Sequence, residues 1–100
     1  MSTIFFYWDI KPEKDKEYMD FIFNDYIPSM ARVGISVTDG WLKVAGEGTQ
    51  IIALGESDDY TTARTALQSR EFRATEGRLM QFVENYSKHL ARRDIKSEER

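Results

Sequence analysis

The sequence predicts an α+β protein, with one antiparallel sheet covered by helices. Three observations carry this. The stretch ISVTDGWLKVAGEGTQIIALGE, Ile35 to Glu56, reads as two strands joined by a Gly46-Glu47-Gly48 turn. TIFFYWDI, Thr3 to Ile10, alternates as a third strand earlier in the chain. Helical spacing fills nearly all the rest.

In β-alternation, Ile4, Phe6, Trp8 and Ile10 share one wholly apolar face, expected to meet the helices. Thr3, Phe5, Tyr7 and Asp9 share the other. Two large aromatics on an open face predict that a second subunit or a ligand covers it. Lys11-Pro12 ends the strand, and Pro12, Glu13 and Asp15 suit a helix start. Tyr18, Met19, Ile22, Tyr26 and Met30 then recur at helical spacing. Pro28 removes a backbone donor, so this helix is expected to kink or end near Tyr26. Gly34 closes it.

The next strand changes phase. Ile35 and Val37 are apolar at odd positions, Leu42 and Val44 at even ones. A bulge or turn at Asp39-Gly40 would restore one inward face. The strand proper is expected over Gly40 to Ala45, with Trp41 and Lys43 facing away from Leu42 and Val44. Thr49 to Glu56 is apolar on both faces at Ile51 to Leu54, as in a central strand. Ser57-Asp58-Asp59 predicts a short helix to about Leu67, and Ser69 caps another. Phe72, Leu79, Phe82, Val83, Tyr86 and Leu90 extend that last helix to about Arg92, leaving no fourth strand. Residues 93–100 are expected to fray beyond a single domain spanning 1–92.

The order is therefore β-α-β-β-α-α, the start of a ferredoxin-like unit lacking its last strand. Dimerisation would cover the open face and the missing edge. The aromatic first strand, the helix with Tyr26-Ile27-Pro28, Gly34, and the Gly40-Trp41 strand before a Gly-rich hairpin resemble the dimeric α+β barrel superfamily. Within it they resemble NIPSNAP-like proteins. The resemblance covers Ile4 to Ser57. It implies two sheets packed across a dimer axis, with any pocket between sheet and helices. It also implies a range of activities that includes monooxygenases and isomerases.

Composition narrows the partners. The chain has 100 residues, 13% aromatic content and a formal charge of −3. That balance disfavours nucleic acid, and with it a single-stranded RNA platform on Phe5, Tyr7 and Trp41. There is no cysteine, which excludes disulfides, thiolate metal sites and cysteine nucleophiles. No export signal and no span long enough for a bilayer is read, so a cytoplasmic protein is expected. No cofactor motif is present. Gly46-Glu47-Gly48 sits in a hairpin without a following helix and cannot form a phosphate site.

Candidate polar groups are few. Tyr7, Asp9 and His89 are the catalytic candidates should the protein be a small oxygenase or isomerase. His89 is the sole histidine, and its plainer reading is a polar residue near a helix C-terminus. One histidine without paired carboxylates is not a metal site. Phe5, Tyr7, Trp41 and Lys43 are expected on the open face, as interface or ligand contacts. Asn24 and Tyr26 are expected near a cavity under the Pro28 kink. The leading reading is a homodimer that binds a small, partly apolar molecule between sheet and helices.

Overall fold

A computed structural model describes residues 2–92 of the chain. The predicted alternation holds through strand β1, Ser2–Ile10. Ile4, Phe6 and Trp8 are buried against the helices, while Thr3, Phe5 and Tyr7 are half-covered on the opposite face. β1 is central. It pairs antiparallel with β3, Ile51–Ser57, on one side and β4, Val83–Arg92, on the other. Strand β2, Ser36–Leu42, adds to β3, giving the order β2-β3-β1-β4 of a ferredoxin-like sheet.

β4 corrects the expected β-α-β-β-α-α order. The last helix ends at Leu79, and a turn leads into a ten-residue pairing partner for β1, with Val83 opposite Ile10 and Leu90 opposite Ile4. The misleading signal has a physical cause. The β1–β4 register shifts between Tyr7 and Asp9, and Asn85 has φ 56. This bulge resets the strand's phase, so its helix-facing residues fall at Val83, Tyr86, Lys88 and Leu90. A three-residue step, and a lysine on the inner face, make the pattern look helical.

The other strands differ in smaller ways. β2 begins four residues before the expected Gly40, and its bulge falls between Val37 and Asp39, beside the predicted phase switch. Leu42 stays exposed at this sheet edge, and Val44 lies beyond the strand in the connecting loop. Gly46 and Gly48 of that loop have φ 104 and 98, as a tight turn requires.

Helix α1, Asp15–Phe21, continues through a π-helical segment, Ile22–Tyr26, into α2, Ile27–Arg32. The widened turn accommodates Pro28, whose ring would clash with the carbonyl one α-turn earlier. Gly34, at φ 92, ends the run, with the Ile35 amide donating to the Met30 carbonyl at 2.9 Å. The two predicted caps form. Asp59 accepts from the Thr62 amide at the start of α3, Tyr60–Leu67, and Ser69 accepts from the Phe72 amide at the start of α4, Arg70–Leu79. Ile4, Phe6, Trp8, Tyr26, Met30, Ile35, Phe72 and Leu79 make the core between the sheet and the helical layer. The expected frayed tail, 93–100, lies outside the described residues.

Candidate functional site

Strand register fixes the open face of the sheet. Trp41, Ile52, Tyr7 and Ser87 form one row across the four strands, and Asp39, Leu54, Phe5 and His89 the next. Trp41 is 53% exposed in the single chain. His89 belongs to β4 and not to a helix. Its ring meets Tyr7 edge-on, with centroids 5.6 Å apart. Tyr7 and His89 therefore converge on an open surface.

Asp9 is engaged elsewhere. Its carboxylate accepts from Asn85 Nδ2 at 2.8 Å and from the Gln50 amide at 2.6 Å, while Gln50 Oε1 accepts from the Ile10 amide. These bonds, that from Asn85 foremost, hold its pKa below the usual carboxylate value. Asp9 thereby ties the bulge of β4 to the start of β3. Lys43 donates to the Glu47 carbonyl within the hairpin loop. Asn24 is exposed on the π-helical segment.

Tyr26 lies deep between sheet and helices. It is 2% exposed, packed against Phe6, Trp8 and Phe21, and its hydroxyl has no hydrogen-bond partner among the described residues. Burial raises its pKa strongly. Around it, Trp8 Nε1 donates to the Tyr18 hydroxyl at 2.9 Å. The Tyr86 hydroxyl and Lys88 Nζ both donate to Glu76, at 2.7 and 2.6 Å. Large rings pack around these polar groups.

The cavity opens instead within the helical layer. It has a volume of about 810 Å³ and is lined only by residues of α2, α3 and α4, the residue after α2 and the residue before α4. That volume falls in the range of small-molecule sites. Val33, Ala66 and Ala74 supply apolar wall, and Thr61, Thr62, Thr65, Ser69 and Thr75 supply hydroxyl-bearing wall. At one end Arg78 grips Asp25, Nε to Oδ2 and Nη2 to Oδ1, both at 2.8 Å. Buried Ser29 donates to Asp25 at 2.9 Å and accepts from Arg32 at 2.8 Å. The Arg78 bonds are the chief cause of the lowered pKa of Asp25.

Sequence reasoning missed this groove. Its local trace is a Ser or Thr paired with Arg three residues on, in Ser29–Arg32 and Thr75–Arg78. That spacing puts each pair on one helix face. Among the described residues, no helix is long and apolar enough to cross a membrane, and no group of three or more His, Asp or Glu is placed to hold a metal ion.

An antiparallel β2-β3-β1-β4 sheet with one helical layer defines a ferredoxin-like α+β protein, here with an uncovered aromatic face. Solved structures share this fold. A NIPSNAP family protein from Agrobacterium tumefaciens superposes with a TM-score of 0.65 at 19% identity, over 99% of this chain and 98% of that one. SnoaB, a cofactor-independent oxygenase from Streptomyces nogalater solved as an N63A mutant, gives 0.69 at 16% identity, over 98% and 97%. A dimeric protein of unknown function and ferredoxin-like fold from Bacteroides fragilis gives 0.58 at 14% identity, over 90% and 93%. The expected resemblance to NIPSNAP-like and α+β barrel proteins thus holds at the level of fold. No family model and no curated protein matches the sequence.

Proposed function

We propose that the protein is a cytoplasmic homodimer, paired through the open sheet face, that binds a small, partly apolar molecule. The observation that carries the binding reading is the groove of about 810 Å³ among α2, α3 and α4, with both apolar and hydroxyl-bearing walls and charged residues in its lining. The ligand site is accordingly assigned to the helical layer and not to the space beneath it. The dimer reading rests on exposed Trp41 and half-buried Phe5, Tyr7, Ile52 and Leu54, which share one face of the sheet. Full burial of a large apolar side chain contributes roughly 1.5–3 kcal/mol, and these side chains, most of them already half-covered, would each add a fraction of that, doubled by symmetry, against the cost of association. The lack of cysteine suits a reducing compartment.

An amide NMR titration with small aromatic alcohols tests the binding reading. Shifts should cluster at Thr62, Thr65, Ala66 and Thr75. Ala74→Trp, which fills the groove from its exposed side, should abolish them. Shifts that survive Ala74→Trp, or that map to the sheet, would sink the assignment.

The second reading is an oxygenase or isomerase using Tyr7 and His89. The ring contact at 5.6 Å favours it, since a dimer would enclose both groups. His89→Ala should then abolish turnover without changing the sedimentation coefficient.

A further inference from the structure

The groove has a charge asymmetry that its shape does not explain. Arg32 and Arg78 converge on Ser29 Oγ, at 2.8 and 3.3 Å. The carboxylate at this end, Asp25, is already occupied by Arg78 through both oxygens. Among the described residues, Arg32 has no carboxylate within 4.0 Å. A guanidinium carries five N–H donors, and among the described residues that of Arg32 makes a single hydrogen bond, to Ser29. Asp25 feels Arg32 as well as Arg78, so one negative charge faces two positive ones.

Glu71 also lines the groove. It sits seven residues before Arg78 on α4, about 10 Å away along the helix axis. The positive and negative groups are thus separated along α4, with Ala74 and Thr75 between them, and Val33 and Ala66 add apolar lining to the groove. A ligand's anionic head would be attracted to the Arg32 end. A second anion placed towards Glu71 would meet like charge.

We infer that the groove selects a small monocarboxylate with an apolar body, its carboxylate on Arg32 and the free edge of Arg78. Ser29 and Asp25 hold the two guanidiniums in place before the ligand arrives, which favours a planar two-point contact. This assignment rests on the reading of the groove as a binding site, and adds the class of ligand.

The test is a set of amide NMR titrations on the full chain with 1-naphthoate, its neutral analogue 1-naphthalenemethanol, and 2,6-naphthalenedicarboxylate. The monoacid should shift Thr62, Thr65 and Thr75 and bind about tenfold tighter than the alcohol or the diacid. Arg32→Gln should remove that advantage, and Arg32→Lys should restore part of it. Arg32 is exposed, so both variants should keep the wild-type melting temperature. Equal binding of acid and alcohol at these amides, or acid binding unchanged in Arg32→Gln, overturns the carboxylate assignment while the groove remains a binding site. Diacid binding as tight as monoacid binding overturns the single-charge preference. No shift at these amides with any of the three compounds overturns the groove reading itself.

Discussion

Tyr26→Phe should stabilise the protein. The ring is enclosed by Phe6, Trp8 and Phe21, and these contacts survive the substitution. Only the hydroxyl is lost, and among the described residues it is buried without a partner. An unsatisfied buried polar group costs about 1–3 kcal/mol, less a small loss from the space the oxygen vacates. A net gain of about 1 kcal/mol is expected, which for a domain of this size raises Tm by about 4–8 °C. The Tyr26 phenol is neutral at ordinary pH in the unfolded chain, where its value is about 10, and burial raises it further in the fold, so the gain should not vary between pH 6 and 8. Thermal melts at matched protein concentration, with urea midpoints as a second measure, check this. An unchanged or lowered Tm would refute the reasoning, because it would mean that the hydroxyl is held by a bond worth as much as its burial costs.

Sedimentation at micromolar concentration should give about twice the 11.7 kDa chain mass for the wild type, and Trp41→Asp should halve it by placing a carboxylate in the paired face; a compact wild-type monomer would remove the dimer. Gly55→Ala should destabilise by about 1–3 kcal/mol in urea melts, since its Cβ would lie 2.7 Å from Ile35 Cγ2 and 3.3 Å from Phe6 Cε2 in the core. Asp25→Asn should lower stability at pH 7. The folded-state pKa of Asp25 is depressed, so its contribution is present above the unfolded value of about 3.9 and fades as pH falls through the folded value. Wild type and variant should therefore converge as pH falls through the folded value, and a gap that does not narrow with falling pH would mean the bond to Arg78 is not its source.

Local features were readable from residue order alone. The β1 alternation, the Asp59 and Ser69 caps and the glycine turn each depend on neighbours within a few residues. β4 was hidden because its signature is a relation between strands. The Asn85 bulge follows from how β4 meets Tyr7 and Asp9, and Lys88 faces inward only because Glu76 accepts its charge and the Phe72 ring lies 5.5 Å away. Pro28 was legible as a disturbance but not as a π-helical turn, which depends on keeping Tyr26 and Met30 in the core together. The groove was out of reach for a similar reason. Asp25 and Arg78 stand 53 positions apart, and nothing in either neighbourhood announces the other.

The strand order has a consequence for the newborn chain. β1 emerges from the ribosome well before β4, yet it lies between β3 and β4 in the finished sheet. Until Val83–Arg92 has been synthesised and released, one flank of β1 offers its backbone donors and acceptors to any passing strand, beside Phe5 and Tyr7. Vectorial synthesis thus leaves the most aromatic segment waiting for the latest one. A ribosome stalled between α4 and β4 should display a sticky intermediate that trigger-type chaperones would shield, whereas a stall past Arg92 and clear of the exit tunnel should not.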